Sequence, residues 1–332
     1  MGENFAKPWH KEAIELWQKK NCEGGRLLNK KEITDRLAAK YDGINYNTVK
    51  SYIMNHGEDT IGTEKIEPIV PKKFIALQSV DADIHKRKWS GNKTIKFGLM
   101  GDTQLGSKYT QITHLWDFYQ LCKDENITDI YHTGDITDGL KMRPGHEYEL
   151  YTNGWDEMIK DVVKNYPKIN GLTTHFITGN HDASIYKHIG MDIGKVIASE
   201  RSDLKYLGRD CAQVYLTPEC ILEMRHPWDG TAYAQSYKPQ KMIEAMESDS
   251  KPNILAIGHY HKAEYLFYRN VHCFQTGCFQ GQTPFTRGKG ISVALGGWII
   301  EIEVDDNGYI QAISQKFVPY YSSIKDDYKN WR

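Results

Sequence analysis

The sequence predicts an α/β protein: a two-sheet β-sandwich flanked by helices, preceded by a small all-α unit. Three observations carry this reading. From Thr94 onward, short apolar runs alternate with helical spacings, the mark of βαβ units whose strands are buried between helices. After Tyr206 the chain turns strand-rich. Before residue 57 only helical patterns occur, broken by Asp42-Gly43.

In the N-terminal part, Trp9, Ala13, Leu16 and Trp17 share one helical face. Asn29 is placed to cap a second helix, running to about Tyr41, with Ile33 and Leu37 as its apolar positions. Asn45 or Asn47 then caps a third helix carrying Val49, Tyr52 and Ile53. Residues 58–93 read as a linker with Pro68, Pro71, one strand over Lys73 to Leu77, and a basic cluster, His85-Lys86-Arg87-Lys88.

The large unit spans 94–320, and 321–332 is expected to be a tail. Strands are expected at Thr94 to Met100, Ile127 to Thr133 and Thr173 to Thr178. Helices are expected at Tyr109 to Glu125 and Asn153 to Tyr166. Later strands fall at Gln213 to Thr217, Ile221 to Arg225, Asn253 to Ile257, Val271 to Thr276, Trp298 to Val304 and Ile310 to Val318.

Composition narrows the class. A charged fraction of 26% and a hydrophobic fraction of 40% over 332 residues describe an ordinary globular chain. A net charge of −1 gives no global attraction to nucleic acid, so any basic surface is local. No apolar run reaches the roughly 18 residues of a membrane span. Met1-Gly2-Glu3-Asn4-Phe5 is unlike a signal peptide, and the six cysteines form no CxxC pair. These features point to a cytoplasmic protein with reduced thiols.

Five of the apolar runs end in metal-competent or proton-transferring side chains. In order these are Gly101-Asp102-Thr103-Gln104, Gly134-Asp135-Ile136-Thr137-Asp138, Gly179-Asn180-His181-Asp182, His226, and Gly258-His259-Tyr260-His261. Carboxyl ends of strands in an α/β sheet are where ligands gather. This series resembles the calcineurin-like metallophosphoesterase superfamily, whose pattern is Asp-x-His, Gly-Asp-x-x-Asp, Gly-Asn-His-Asp or Glu, a lone His, and Gly-His-x-His. The resemblance covers about Thr94 to Tyr320 and is altered at one point, Gln104, where His is usual. Gly101-Asp102-Thr103-Gln104-Leu105-Gly106 is similar to the first motif of the repair-nuclease branch, usually Asp-x-His-Leu-Gly.

The resemblance implies the αββα architecture and two divalent ions. It assigns Asp102, Gln104, Asp135 and His261 to one ion, and Asp135, Asn180, His226 and His259 to the other. A His/Asp/Asn set without thiolate suits Mn²⁺ best, with Fe or Zn²⁺ also compatible. His181 is then the catalytic group that meets the phosphoryl group, with Asp182 orienting it. Asp138 and His132 are candidates to support the ligands from behind, and Tyr260 is expected to be packing. The long connection from Gly139 to Asn153 offers Arg143 and His146 to a substrate phosphate; Thr283 to Gly290, with Arg287 and Lys289, is a second such loop.

The N-terminal helices resemble a DNA-binding helix-turn-helix unit. That likeness places Asn45, Asn47, Thr48, Lys50 and Ser51 at the start of a recognition helix, with Asn47, Thr48 and Lys50 as nucleic-acid contacts. A small protein-interaction module fits the same pattern. Three functions follow: a metal-dependent phosphodiesterase or nuclease acting on DNA, a phosphomonoesterase for a small molecule or phosphoprotein, and a non-catalytic nucleic-acid-binding relative.

Overall fold

The computed structural model describes residues 7–18, 28–56, 83–247 and 250–331. Two compact units are present, residues 1–74 and 75–332.

In the first unit, helices α1 (Trp9–Gln18), α2 (Lys30–Ala38) and α3 (Tyr46–His56) close around Trp9, Ala13, Leu28, Ile33, Leu37, Val49 and Ile53. Asn29 starts α2 through a capping box: its side chain accepts from the backbone N–H of Lys31 and Glu32, and Glu32 reaches back to its own N–H. Asn45 starts α3 by accepting from the backbone N–H and the hydroxyl of Thr48, each at 3.0 Å. The expected strand over Lys73 to Leu77 lies outside the described residues.

The second unit is built on two six-stranded sheets. Its strands in chain order are β1 (Asp83–Lys86), β2 (Thr94–Met100), β3 (Asp129–His132), β4 (Thr173–Thr178), β5 (Leu204–Arg209), β6 (Cys211–Thr217), β7 (Cys220–Arg225), β8 (Ile254–Ile257), β9 (Ala263–Tyr268), β10 (Val271–Thr276), β11 (Gly296–Val304) and β12 (Ile310–Pro319). One sheet has the order β12-β11-β2-β3-β4-β5 and the other β1-β6-β7-β8-β10-β9.

Alternation along each strand explains the layering. Ile95, Phe97 and Leu99 of β2 face the other sheet and meet Val214, Leu222, Met224, Ile254, Ala256 and Phe274 in the central core. Met100 and Ile130 face the opposite way, with Leu115, Phe118, Met158 and Val162 of the helices at 112–124 and 155–165. On the far side of the second sheet, Leu255 and Ile257 pack with Ile243 of the helix at 237–245. The result is the expected helix–sheet–sheet–helix sandwich, a metallophosphoesterase-like fold.

Two boundaries differ from expectation. Part of the stretch read as linker is strand β1, which pairs in parallel with β6. The expected tail is packed instead: Asp327 is buried and accepts from the backbone N–H and hydroxyl of Thr113, at 2.7 and 2.5 Å, while Trp331 stacks on Trp116. Among the described residues, no helix is long and apolar enough to cross a membrane.

Candidate metal centre

Topology brings the five motifs together. Strands β2, β3 and β4 are adjacent and parallel, and β7 and β8 are adjacent and parallel in the other sheet. Neighbouring strands lie about 4.8 Å apart, so parallel strands bring their carboxyl-terminal residues to one edge. Pairing continues past the strand ends: the Asp102 N–H donates to the Gly134 carbonyl at 2.9 Å and the Gln104 N–H to that of Asp135 at 3.0 Å.

The backbone at this edge is unusual. Among the described residues, eleven non-glycine residues have positive φ, and five of them are Asp102, Gln104, Asp135, His259 and His261. Left-handed backbone is unfavourable for such residues and gathers at functional sites. Glycines leave the necessary space: a Cβ at Gly179 would lie 2.3 Å from Asp135 Oδ1 and 2.6 Å from His226 Nε2.

Asp135, His226 and His259 bring ligand atoms within 4.8 Å of one another. His226 donates from Nδ1 to the Thr133 carbonyl at 2.8 Å, which turns Nε2 toward Asp135 Oδ2 at 3.1 Å and Asn180 Oδ1 at 3.0 Å. His259 donates from Nε2 to the Asp229 carbonyl at 2.7 Å, leaving Nδ1 as its acceptor atom. On the other side of Asp135, Asp102 and His261 face each other, Oδ1 to Nε2, at 3.4 Å, and the Gln104 amide nitrogen donates to Asp135 Oδ2 at 3.1 Å. Five buried side-chain polar atoms lack a hydrogen-bond partner among the described residues; three are Asp102 Oδ1, Gln104 Oε1 and His261 Nδ1. Unsatisfied buried donors and acceptors are costly. A divalent cation would satisfy acceptors such as Asp102 Oδ1 and Gln104 Oε1, and with Asp135, His226 and His259 this donor set fits the kind of ion implied by the motifs.

The electrostatics agree. Burial works against ionisation of Asp135, yet His226 and His181 hold its carboxyl well below the usual range. Burial likewise opposes charge on His226, but Asp135 outweighs it and raises the imidazole to about 9. Burial brings His132 down to about 4. The edge therefore carries concentrated negative charge that demands a cationic partner, whether proton or metal.

His181 is 19% exposed at its side chain and opens on a cleft of about 390 Å³ lined by Asp135, Asp138, Trp228, His259, Phe285 and Lys289, among others. Its Nδ1 lies 2.7 Å from the Asp138 carbonyl and 3.2 Å from Asp138 Oδ1. Burial opposes its charge, and Asp135 with Asp138 raises it to about 9. The expected orienter, Asp182, does something else. Its carboxylate accepts from the N–H of Ile136, Thr137 and Gly179 and from the Thr137 hydroxyl, at 2.7–3.1 Å. It starts the helix Asp182–Ile189, so its side chain folds back under the Asp135 turn instead of beside the imidazole. Burial and the neighbouring Asp135 push it up to about 6.

Other site expectations need correction as well. His146 is fully buried and does not face a substrate; its Nε2 lies 3.2 Å from Asp138 Oδ2, while Nδ1 faces the Met142 N–H at 3.4 Å. Asp138 thus sits between two imidazoles, and Gln280 donates to it at 3.2 Å. Burial opposes its charge, but His146 and His181 hold it well below the usual carboxylate range. Arg143 lines the cleft but is paired with Glu149 at 2.5 Å and lies over the Phe285 ring. His132 touches Thr103 and the Gly134 N–H and makes no hydrogen bond to a ligand side chain. Tyr260, by contrast, is packing as expected: it is buried, with its hydroxyl on Asp229 at 2.5 Å. In the N-terminal unit Asn47 and Lys50 are exposed, but Thr48 is half-buried and occupied in the Asn45 cap. Gln280 and the Asp229 carbonyl were not legible in advance, since neither belongs to a motif.

No protein-family model matches the chain. It is 27% identical over 191 residues to the DNA polymerase II small subunit of Methanothermobacter thermautotrophicus, covering 46% of this chain and 39% of that one. It is 22% identical over 260 residues to the protein of the same name from Halobacterium salinarum, covering 61% and 47%. The matches thus span less than half the length of these curated relatives. Among solved structures, an archaeal phosphodiesterase overlays 68% of this chain and 100% of its own with a TM-score of 0.39 at 13% identity. Vps29 from Entamoeba histolytica overlays 68% and 99% with a TM-score of 0.32 at 12% identity. The five motifs that converge at this edge resemble those of the calcineurin-like metallophosphoesterase superfamily.

Proposed function

We propose that the chain is a dinuclear-metal-dependent phosphodiesterase that acts on DNA. The observation that carries this reading is the pairing of two features at one edge. A ligand set is centred on Asp135, with Asp102 Oδ1 and Gln104 Oε1 buried and unpaired, and beside it His181 is held by Asp138 at the mouth of a cleft. Asp102, Gln104, Asp135 and His261 would hold one ion, and Asp135, Asn180, His226 and His259 the other. Such ions, when bound, lower the pKa of water and neutralise a phosphoryl group. His181 presents its free imidazole nitrogen to the cleft, where it donates to a phosphate oxygen or to the leaving group. Asp138 fixes the ring through Nδ1, and His146 fixes Asp138. Asn180 and His226 keep each other aligned through their 3.0 Å contact.

DNA as substrate is supported by the name of the relatives and by the exposed polar start of α3. We assign the 1–57 unit to nucleic-acid contact through Asn47 and Lys50, and the chemistry to the second unit. Mn²⁺ is the metal that best suits the donors. The test is turnover by the Mn²⁺-loaded full chain on bis(p-nitrophenyl) phosphate, p-nitrophenyl phosphate, and single- and double-stranded DNA. The diester and DNA should be cut and the monoester spared. Monoester turnover above the diester would favour a phosphomonoesterase instead.

A second reading, a non-catalytic polymerase-associated subunit, is favoured by the word "subunit" in the relatives' name and by Gln104 in place of the usual His. No turnover on any of the four substrates despite two bound ions per chain would support it.

A further inference from the structure

Beside the candidate metal centre, exposed aromatic rings alternate with cations. Trp228, two residues after His226, lines the cleft and is 45% exposed. Its indole N–H donates to Asp210 Oδ1 at 2.9 Å, which fixes the ring in its plane, and the Lys187 ammonium lies 4.1 Å from the ring centroid. Tyr186, the neighbour of Lys187 on the helix that begins at Asp182, is also half-exposed and has the Arg209 guanidinium 4.6 Å from its centroid. Phe285, 41% exposed, lines the same cleft as Trp228.

This arrangement has no structural necessity. Burial of aromatic rings is the usual outcome, and large exposed rings close to one site mark a binding surface. A cation held over a ring is paired with a π-face and not with a carboxylate, so it remains available to an anion. Lys187 and Arg209 are exposed and form no salt bridge among the described residues. Rings that stack with flat apolar groups, interleaved with cations that meet phosphates, are the chemistry of an unpaired polynucleotide strand. A duplex hides its base faces and offers such rings nothing to stack on.

We propose that Tyr186, Trp228 and Phe285, with Lys187 and Arg209, form a track that leads a single-stranded polynucleotide to the cleft. The assignment deepens the phosphodiesterase reading and rests on it for the location of the scissile phosphate. Bases stack on the rings, and the two cations meet phosphates between them. The track prefers strands over duplex and is indifferent to sequence, because every base has a π-face.

The test is equilibrium fluorescence anisotropy of the full chain with a labelled 20-nucleotide single strand, as DNA and as RNA, and with the matching duplex. EDTA is present so that binding is read without cleavage. The track should show as a loss confined to the single strand. Trp228→Ala and Tyr186→Ala should each weaken single-strand binding by about tenfold while changing duplex binding little. Trp228→Phe and Tyr186→Phe keep a ring and should stay near the wild type, which separates stacking from any fold defect. Equal binding of DNA and RNA supports a track for either backbone; a preference names the source. Alanine variants that bind the single strand as wild type, alanine variants that weaken duplex binding as much as single-strand binding, or phenylalanine variants as weak as the alanine ones would overturn the track. Because no turnover is measured, a failure of the phosphodiesterase reading would leave this result standing.

Discussion

The candidate metal-binding edge of the sandwich and the N-terminal helical unit are built on opposite principles. At the edge, side chains from five strand ends far apart in sequence are forced together, three of the five on left-handed backbone, with buried charges that need one another. In the helical unit every signal is local: a capping box at Asn29, a cap at Asn45, a seven-residue core, and polar residues of α3 left in solvent. The lesson concerns where an effect of substitution spreads. A change at the edge propagates through shared partners and is strongly non-additive. A change on α3 stays with one contact.

The comparison breaks first at Asp135, the carboxylate common to both ligand sets. Asp135→Asn removes the charge that His226 and both proposed ions depend on, so bound Mn²⁺ and turnover should fall to background together while far-UV circular dichroism is kept. Elemental analysis beside a diesterase assay checks this; metal retained at two ions per chain would exclude Asp135 as the bridge.

His181→Ala comes next. Metal content should remain, and the rate should fall by about 10²–10⁴-fold, the usual contribution of a proton-transferring group. Both are read on one sample, and metal lost in proportion to rate would make His181 a structural residue. His146→Ala should cost less, about 10–100-fold, in keeping with the loss of a partner behind a functional side chain. Here kcat should fall with KM nearly unchanged, and His146→Gln should recover part of the rate by restoring a donor to Asp138. A change in KM alone would return His146 to the substrate-contact role that its burial argues against.

Gln104 sharpens the contrast within the site. Its amide oxygen is a neutral donor, and imidazole is better for borderline metals. Gln104→His should lower the half-activating Mn²⁺ concentration several-fold, and Gln104→Ala should raise it. A titration giving one concentration for all three forms would remove Gln104 from the ligand set. The smallest effect is expected on α3. Lys50→Ala should weaken DNA binding alike on all sequences and reduce the slope of log K against log salt by about 1. Anisotropy at several salt concentrations measures it, and an unchanged slope would take Lys50 away from the phosphates.

How far the sequence reaches can be argued from particular residues. Ile95, Phe97 and Leu99 alternate strictly, so β2 was legible to the residue, as were β4 and β10. Buried parallel strands carry continuous apolar runs, and a ligand at the end of such a run announces itself by chemistry as well as position. That is why Asp102, Asp135, Asn180, His226, His259 and His261 could be named as candidate ligands before any coordinates. Edge strands were less visible. Asp83–Lys86 is polar and only four residues long, Leu204–Arg209 carries Lys205 and Arg209, and Ala263–Tyr268 has no fully buried residue. Partial burial removes the periodicity that marks a strand.

The orientation of side chains around those ligands was decided only by tertiary structure. Asp182 is adjacent to His181 in the chain, yet Asp138 holds the imidazole, because a helix begins at Asp182 and turns its carboxylate under the 135–137 turn. His146 lay in what read as an exposed polar loop, yet that loop folds inward and delivers it to Asp138. Local sequence encodes which atoms are available and roughly which strand end carries them, through propensity and alternation. Which of those atoms meet depends on backbone turns and on contacts between residues distant in the chain, and no local pattern encodes a distance of that kind.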